Sequence, residues 1–183
     1  MELKRFSFTL ALASALSLVA LSAAAPIFRT IVPTSEKVSQ TWKYTFTPPP
    51  ATWRRKDFDA SKWRTGRGGF GTSNTPGIGK LGTVWRTRDI WLRRSFNPGK
   101  ITAAQIAKIG VRDYHDEDVE IYINGTLVYW GFGYTTRYER RPLHPIARRA
   151  IIANAKNVIA VHCRQTRGGQ YIDVGLEEVI SRR

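Results

Sequence analysis

The stretch YHDEDVEIYINGTLVYWGFGYTTRY, residues 114–138, decides the fold. At its centre lies Asn124-Gly125, a pair that tolerates the positive φ angles of a two-residue type I′ turn. Apolar residues alternate with polar ones on both sides of this pair, which predicts two half-buried strands joined as a β-hairpin. The predicted apolar face carries Val119, Ile121, Ile123 and Val128.

The register of this hairpin follows from its turn. A two-residue turn places Ile121 opposite Val128, and continued pairing places Trp130 opposite Val119 on the core face. Tyr122 and Tyr129 belong to the opposite face. The hairpin therefore predicts a half-buried sheet, preceded by a polar loop and followed by an aromatic, glycine-rich one.

The composition is that of one folded, strongly basic domain. The chain has 183 residues, a length that suffices for a single core, and its net charge is +15. The single cysteine, Cys163, lies in an apolar run, so we expect a buried, inert thiol and no disulfide framework.

Residues 1–25 have the pattern of a secretory signal peptide. Lys4 and Arg5 precede an apolar run over residues 6–20, and Ser22 and Ala24 fit the cleavage site. The alternative is a retained single-pass anchor, but the run is shorter than the roughly 20 residues that a membrane span needs. We expect a secreted, periplasmic or cell-envelope protein with no transmembrane segment in the mature chain.

The remaining pattern predicts an all-β protein. Residues 26–40 show no periodicity and are expected to form a loose leader, and the domain is expected to span residues 41–183. Strands are predicted at 41–46, 89–96, 106–113, 158–166 and 170–176. Residues 64–83 hold seven of the fifteen glycines and predict a meandering loop, because no helix follows as a nucleotide loop would require. Short strands and long loops are typical of an antiparallel β-sandwich or jelly roll.

Two further segments carry specific expectations. Arg94 shares the apolar face of Ile90 and Leu92, and a buried arginine needs a carboxylate partner, so we expect a structural ion pair. Residues 142–156 are ambiguous between a short helix and a loop that leads into the next strand.

Five motifs occur in a characteristic order. They are Phe58-Asp59-x-Ser61-x-Trp63, Trp91-x-Arg93-Arg94-x-Phe96, Ile121-Tyr122-Ile123-Asn124-Gly125, Trp130-Gly131-Phe132-Gly133-Tyr134 and Asn157-Val158-Ile159-Ala160-Val161. Over about residues 42–180 this order resembles the sugar-binding amino-terminal domain of β-galactosidase- and β-glucuronidase-type glycoside hydrolases.

The resemblance implies a galactose-binding-like jelly roll. It also implies that the chain is not an enzyme, because the catalytic carboxylates of such hydrolases belong to a separate barrel domain. Two features depart from the family pattern: His115-Asp116-Glu117-Asp118 replaces an apolar lead into the hairpin, and Ala155-Lys156-Asn157 replaces a Gly-x-Asn turn.

An acidic island precedes the hairpin in this basic chain. Asp113, Asp116, Glu117 and Asp118 could pair with arginines, or bind sugar hydroxyls. Asp116 and Asp118 could also hold a structural calcium, since calcium prefers several oxygen ligands; no other cofactor is expected. Carboxylates on one loop are poorly placed to act as a glycosidase pair, which needs one on each side of the scissile bond, at least ~5 Å apart.

These observations predict a non-catalytic carbohydrate-binding module with its ligand at residues 113–118 and 130–138. Among the aromatics, we expect Tyr134 and Tyr138, beside Arg137, to be exposed and to stack on sugar rings. The predicted ligand-binding residues are His115, Asp116, Glu117, Asp118, Tyr134, Arg137 and Tyr138.

The alternative is a cationic structural or adhesion module that binds acidic glycans, an envelope surface or a protein partner by charge. Acidic polysaccharide is compatible with either hypothesis. Nucleic acid is not expected as a partner, because the chain carries an export signal and no nucleic-acid-binding motif.

Overall fold

The computed structural model describes residues 25–78 and 80–181, so all but the last residue of the predicted signal peptide lie outside it. Its strands are β1 (Ile27–Val32), β2 (Thr41–Thr45), β3 (Arg64–Arg67), β4 (Phe70–Gly71), β5 (Thr83–Val84), β6 (Asp89–Phe96), β7 (Ile109–Asp116), β8 (Asp118–Ile123), β9 (Thr126–Gly131), β10 (Glu139–Pro142), β11 (Asn157–Arg164) and β12 (Tyr171–Ser181). The helical elements of this described part are a single turn, α1 (Ala103–Ile106), and 3₁₀ segments at Ala51–Arg54 and Pro145–Ala150.

The strands form two sheets that pack as a sandwich. In the first sheet the order is β10-β7-β12-β4-β5, and β1 also pairs with β12. In the second sheet the order is β3-β2-β6-β11-β8-β9. All strand pairs are antiparallel except β4 with β5. The predicted all-β antiparallel sandwich is confirmed. No helix of the described residues is long and apolar enough to cross a membrane.

The main core lies between the sheets, where alternate strand residues point inward. Its largest fully buried side chains include Trp42, Trp85, Phe70, Ile90 and Leu92. A smaller cluster on the outer face of the second sheet contains Trp53, Trp91, Tyr122 and Ala160, with Phe58 and Trp63 against it. The segment after β2 therefore covers this outer face, which explains why β11 is nearly continuously apolar. Cys163 is buried as predicted, and burial raises the pKa of its thiol.

The hairpin turn has the predicted geometry. Asn124 and Gly125 have φ angles of 50° and 91°, as a type I′ turn requires. The Asn124 Nδ2 group also donates to Asn157 Oδ1 at 2.7 Å, and the Oδ1 of Asn124 accepts from the amide of Val158 at 2.9 Å. This asparagine therefore both permits the turn and ties it to β11.

The predicted register beyond the turn is wrong. Tyr122 pairs with Leu127 as expected, but the next pair is Ile121 with Tyr129. Val128 is the additional, fully buried residue of this β-bulge. The bulge moves Trp130 opposite Glu120, so Trp130 is exposed to solvent and not on the core face.

The predicted loose leader at 26–40 is also wrong over β1. This strand pairs with the second half of β12, and Val32 is buried in the core. Arg29 forms an ion pair with Glu178 at 2.6 Å. The sequence of β1 does not reveal the strand, because most of its side chains are not buried and no regular apolar alternation results.

The predicted ion pair of Arg94 is replaced by neutral acceptors. Arg94 donates to the carbonyl of Pro33 at 3.0 Å and to Gln40 Oε1 at 2.8 Å. Its neighbour Arg93 is the more buried residue, with 5% of its surface exposed. The guanidinium of Arg93 donates to carbonyl groups of the segment that covers the outer face.

Candidate functional site

Four segments meet at one end of the sandwich and form a cleft of about 370 Å³, called the loop-end cleft below. They are the loop after β4, the end of β7, the segment after β9, and the turn between β11 and β12. The lining residues that carry functional groups are Tyr114, Asp116, Glu117, Tyr134, Thr135, Thr136 and Arg167. The cleft therefore combines aromatic rings, carboxylates, hydroxyls and a guanidinium.

Backbone pairing holds the segment after β9 against β7. Asp116 forms an isolated β-bridge with Tyr134. The amide of Thr135 donates to the carbonyl of His115 at 2.8 Å, and the amide of His115 donates to Thr135 Oγ1 at 3.1 Å. These contacts fix Tyr134 beside Asp116, as the sequence predicted for residues 113–118 and 130–138.

Asp116 is a carboxylate in an unusual environment. Burial, and to a lesser extent repulsion by Glu117, raise its pKa to about 6, while His115 acts in the opposite direction. On the other side Gly169 approaches closely, and a Cβ at that position would clash with the Asp116 carboxylate. Asp116 is therefore largely ionised at neutral pH and changes charge near pH 6.

Three aromatic side chains project from the segment that follows the bulge. Trp130, Phe132 and Tyr134 are 49%, 83% and 66% exposed, and glycines separate them. Trp130 and Phe132 line a second cleft of about 380 Å³, together with Asp118, Glu120, His162 and Arg164. The aromatic ridge, residues 130–134, thus has a cleft on either side.

The acidic island divides between these two clefts. Asp118 lines the second cleft and accepts a hydrogen bond from the amide of Gly133 at 2.9 Å. Asp116 and Glu117 line the loop-end cleft, where Glu117 accepts a hydrogen bond from Thr166. The residues that the structure describes contain no group of three His, Cys, Asp or Glu side chains that could hold a metal ion. Because Asp116 and Asp118 line different clefts, they do not fit the calcium site expected of them.

His115 is not placed to bind a ligand, contrary to the prediction. It is buried, and its Nδ1 is hydrogen-bonded to the buried carboxylate of Asp113. Asp113 is in turn 3.4 Å from Arg141. The sequence placed His115 in a loop, whereas β7 extends through it and turns its ring inward.

Tyr138 and Arg137 also differ from their predicted roles. The Tyr138 hydroxyl donates to Asp173 at 2.7 Å and is 3.1 Å from the Tyr171 hydroxyl, and burial raises the pKa of Tyr138. Arg137 is exposed but interacts with Glu139 at 3.6 Å. Neither residue lines the loop-end cleft, so of the predicted aromatics only Tyr134 lies there.

The sequence interpretation missed Arg167, which lies between the predicted strands 158–166 and 170–176. Thr136 lies within the predicted segment 130–138 but is not among the residues predicted to bind the ligand. The missing signal is a long-range one: Tyr171 of β12 pairs with Asp116 of β7, which brings the preceding turn to the same end of the sheet. Strand order, and not local composition, places Arg167 in the cleft.

Comparison with solved structures relates this fold to glycosidases. A β-glucuronidase from Bacteroides uniformis matches 84% of the chain with 21% sequence identity and a TM-score of 0.53. A glycosyl hydrolase family 2 member from Bacteroides cellulosilyticus matches 81% with 16% identity and a TM-score of 0.50. The chain has the fold of a part of glycoside hydrolase family 2 enzymes.

The likeness is limited in two respects. The chain spans only 18% and 20% of the lengths of these two proteins. No protein-family model and no curated protein matches the sequence. The comparison thus confirms the resemblance predicted from the five motifs, at the level of fold.

Proposed function

We propose that this chain is an exported, non-catalytic carbohydrate-binding module with its ligand in the loop-end cleft. The observation that carries the proposal is the exposed aromatic ridge beside the carboxylates of Asp116 and Glu117. Apolar C–H faces of a pyranose pack on exposed rings, while its hydroxyls need fixed polar partners. Both kinds of partner occur here within one concave site.

Each lining group has a role in this mode of binding. The ring of Tyr134 provides the stacking surface, and the carboxylates of Asp116 and Glu117 accept hydrogen bonds from sugar hydroxyls. Arg167 and the hydroxyl of Thr136 donate to ring or hydroxyl oxygens. Because the β-bridge and the glycine contacts hold Tyr134 and Asp116 in place, little ordering is needed when the ligand binds.

The arrangement of the carboxylates supports a binding role over a catalytic one. A glycosidase places its two carboxyl groups on either side of the scissile bond, at least ~5 Å apart. Asp116 and Glu117 are consecutive residues on one wall of the cleft. Export rests on the signal pattern of residues 1–25.

A glycan array followed by calorimetry tests the proposal. The protein is expected to bind a narrow set of glycans at near-physiological salt. Tyr134→Ala should weaken binding about fivefold or more, since an aromatic contact contributes roughly 1 kcal/mol or more. Asp116→Asn should weaken it by removing a charged acceptor.

Phe28→Ala is the matched control, because Phe28 is an exposed aromatic on β1 and lies outside the cleft. A blank array would contradict the proposal. So would glycan binding that Tyr134→Ala and Phe28→Ala leave equally unchanged.

A further inference from the structure

A separate, strongly basic cleft lies where the segment after β2 passes the outer face of the second sheet. Its volume is about 670 Å³. Five cationic side chains line it: Lys43, Lys56, Arg93, Arg94 and Lys156. This basic cleft plays no part in the function proposed above.

The two arginines carry charge that their hydrogen bonds do not neutralise. Arg93 donates to the carbonyls of Arg55 and Phe58 at 3.0 and 3.3 Å, and Arg94 to a carbonyl and an amide oxygen. Carbonyl oxygens satisfy N–H groups but supply no counter-charge, whereas a buried guanidinium is normally paired with a carboxylate. Burial lowers the pKa of both arginines, and Asp57 and Asp173 offset this effect only in part.

The lysines increase this excess of positive charge. Lys56 and Lys156 are exposed at the cleft, and Lys43 Nζ lies 3.3 Å from the carbonyl of Trp63. Within the described lining the one carboxylate is that of Asp59, which accepts hydrogen bonds from the amide and hydroxyl of Ser61 at 2.8 and 2.9 Å. The cleft therefore has a large local surplus of cations in a concave, partly desolvated site, which attracts anions.

The remaining lining indicates which kind of anion fits. Ser39, Gln40 and Thr41 provide hydroxyl and amide groups, and the ring of Phe58 provides an apolar wall. A bare inorganic ion would need neither these groups nor a cleft of this size. We propose that the basic cleft binds an acidic oligosaccharide through its sulfate or carboxylate groups.

This site is independent of the loop-end cleft. Val158, near the start of β11, lines the basic cleft, whereas Arg164, at the end of β11, pairs with Asp118 beside the aromatic ridge. An eight-residue strand is roughly 25 Å long. The two clefts thus lie at opposite ends of β11 and can be tested separately.

The test compares two triple variants that each remove three positive charges. Lys43→Gln/Lys56→Gln/Lys156→Gln removes the lysines of the basic cleft, and the matched control removes Lys80, Lys100 and Lys108, which are exposed elsewhere. The probe is a heparin-derived tetrasaccharide, with its desulfated and carboxyl-reduced form as the uncharged comparison, in calorimetry at about 150 mM salt. The cleft variant is expected to lose about tenfold or more in affinity and the control less than about threefold.

Several results would overturn the proposal. Equal losses in both triple variants would mean that the probe binds the general surface charge. Absence of wild-type binding, or equal binding of the desulfated and carboxyl-reduced form, would mean that the cleft has no acidic-glycan site. If the triple variant unfolds, Lys56→Gln/Lys156→Gln affects only exposed residues and must still weaken binding. Tyr134→Ala should leave this affinity unchanged, which separates this site from the loop-end cleft.

Discussion

At the scale of single residues, the environment of Asp116 differs from what its sequence context indicates. It is one of the four acidic residues of the island, which the sequence places in a polar loop. In the structure, Asp116 lies in the partly desolvated wall of the loop-end cleft, next to Gly169 and Tyr134. Its charge is therefore held at a cost, as is frequent at binding sites.

Asp116 gives a prediction for the pH dependence of stability. Its folded pKa is about 6, above the ordinary aspartate value of 3.8, so the folded state binds more protons between these values. As pH rises from 4 to 6, the wild-type protein should lose roughly 1–3 kcal/mol of unfolding free energy from this group. Asp116→Asn should reduce the slope of unfolding free energy against pH in this range, measured by urea denaturation. Some slope remains, because the pKa of Asp173 is also raised to about 6.

Asp59→Asn is the control for this measurement. The amide and hydroxyl of Ser61 lower the pKa of Asp59, so its contribution to stability is lost only as pH falls below 4. Its profile should run parallel to the wild type between pH 4 and 6. An unchanged slope for Asp116→Asn in that window would show that Asp116 is not desolvated.

At the scale of elements, Asn157 joins the hairpin to β11. It is fully buried, its Oδ1 accepts from Ile152 N and Asn124 Nδ2, and its Nδ2 donates to the carbonyls of Ile152 and Ala155. Asn157 belongs to one of the five motifs of the sequence, and these hydrogen bonds give the physical reason for an asparagine at this position.

Asn157→Ala should therefore destabilise the protein by about 2–4 kcal/mol, because it leaves several buried polar groups without partners. The measurement is the urea midpoint at unchanged m-value. Asn97→Ala, which removes one exposed hydrogen bond to Gly99, should cost less than about 1 kcal/mol. Similar costs for both variants would contradict the linking role of Asn157.

The first strand provides a second test at this scale. Val32 is buried in the core although residues 26–40 read as a leader. Val32→Ala should cost about 1–3 kcal/mol, and Val38→Ala, at an exposed site, less than about 0.5 kcal/mol. Equal midpoints for the two variants in urea would mean that β1 does not pack against the sandwich in solution.

Comparison of the predicted and observed strands shows which features of the structure local sequence signals could predict. Local signals were sufficient for the type I′ turn at Asn124-Gly125, for most strands and for the sandwich class. The bulge at Val128 was not predictable, because register beyond a turn depends on packing against the opposite sheet. The same limit applies to the loop-end cleft: residues 116 and 134 were brought together by the hairpin, whereas Arg167 arrives through the long-range pairing of β12 with β7.

At the scale of the whole molecule, the charge is unevenly distributed between the two clefts. The chain carries a net charge of +15, yet the loop-end cleft is lined by two carboxylates and one arginine. The basic cleft at the other end of β11 is instead lined by five cationic side chains and one carboxylate. Binding at the loop-end cleft should therefore depend weakly on salt, whereas binding at the basic cleft should fall steeply as salt rises.

An NMR titration of the ¹⁵N-labelled protein with the best glycan from the array tests the carbohydrate site in the loop-end cleft most directly. We expect amide shift changes concentrated at residues 116–118, 130–136 and 167–169, which saturate with one affinity and need several-fold more glycan in Tyr134→Ala. Shift changes spread over the cationic surface, or confined to residues far from these segments, would contradict a carbohydrate site in the loop-end cleft.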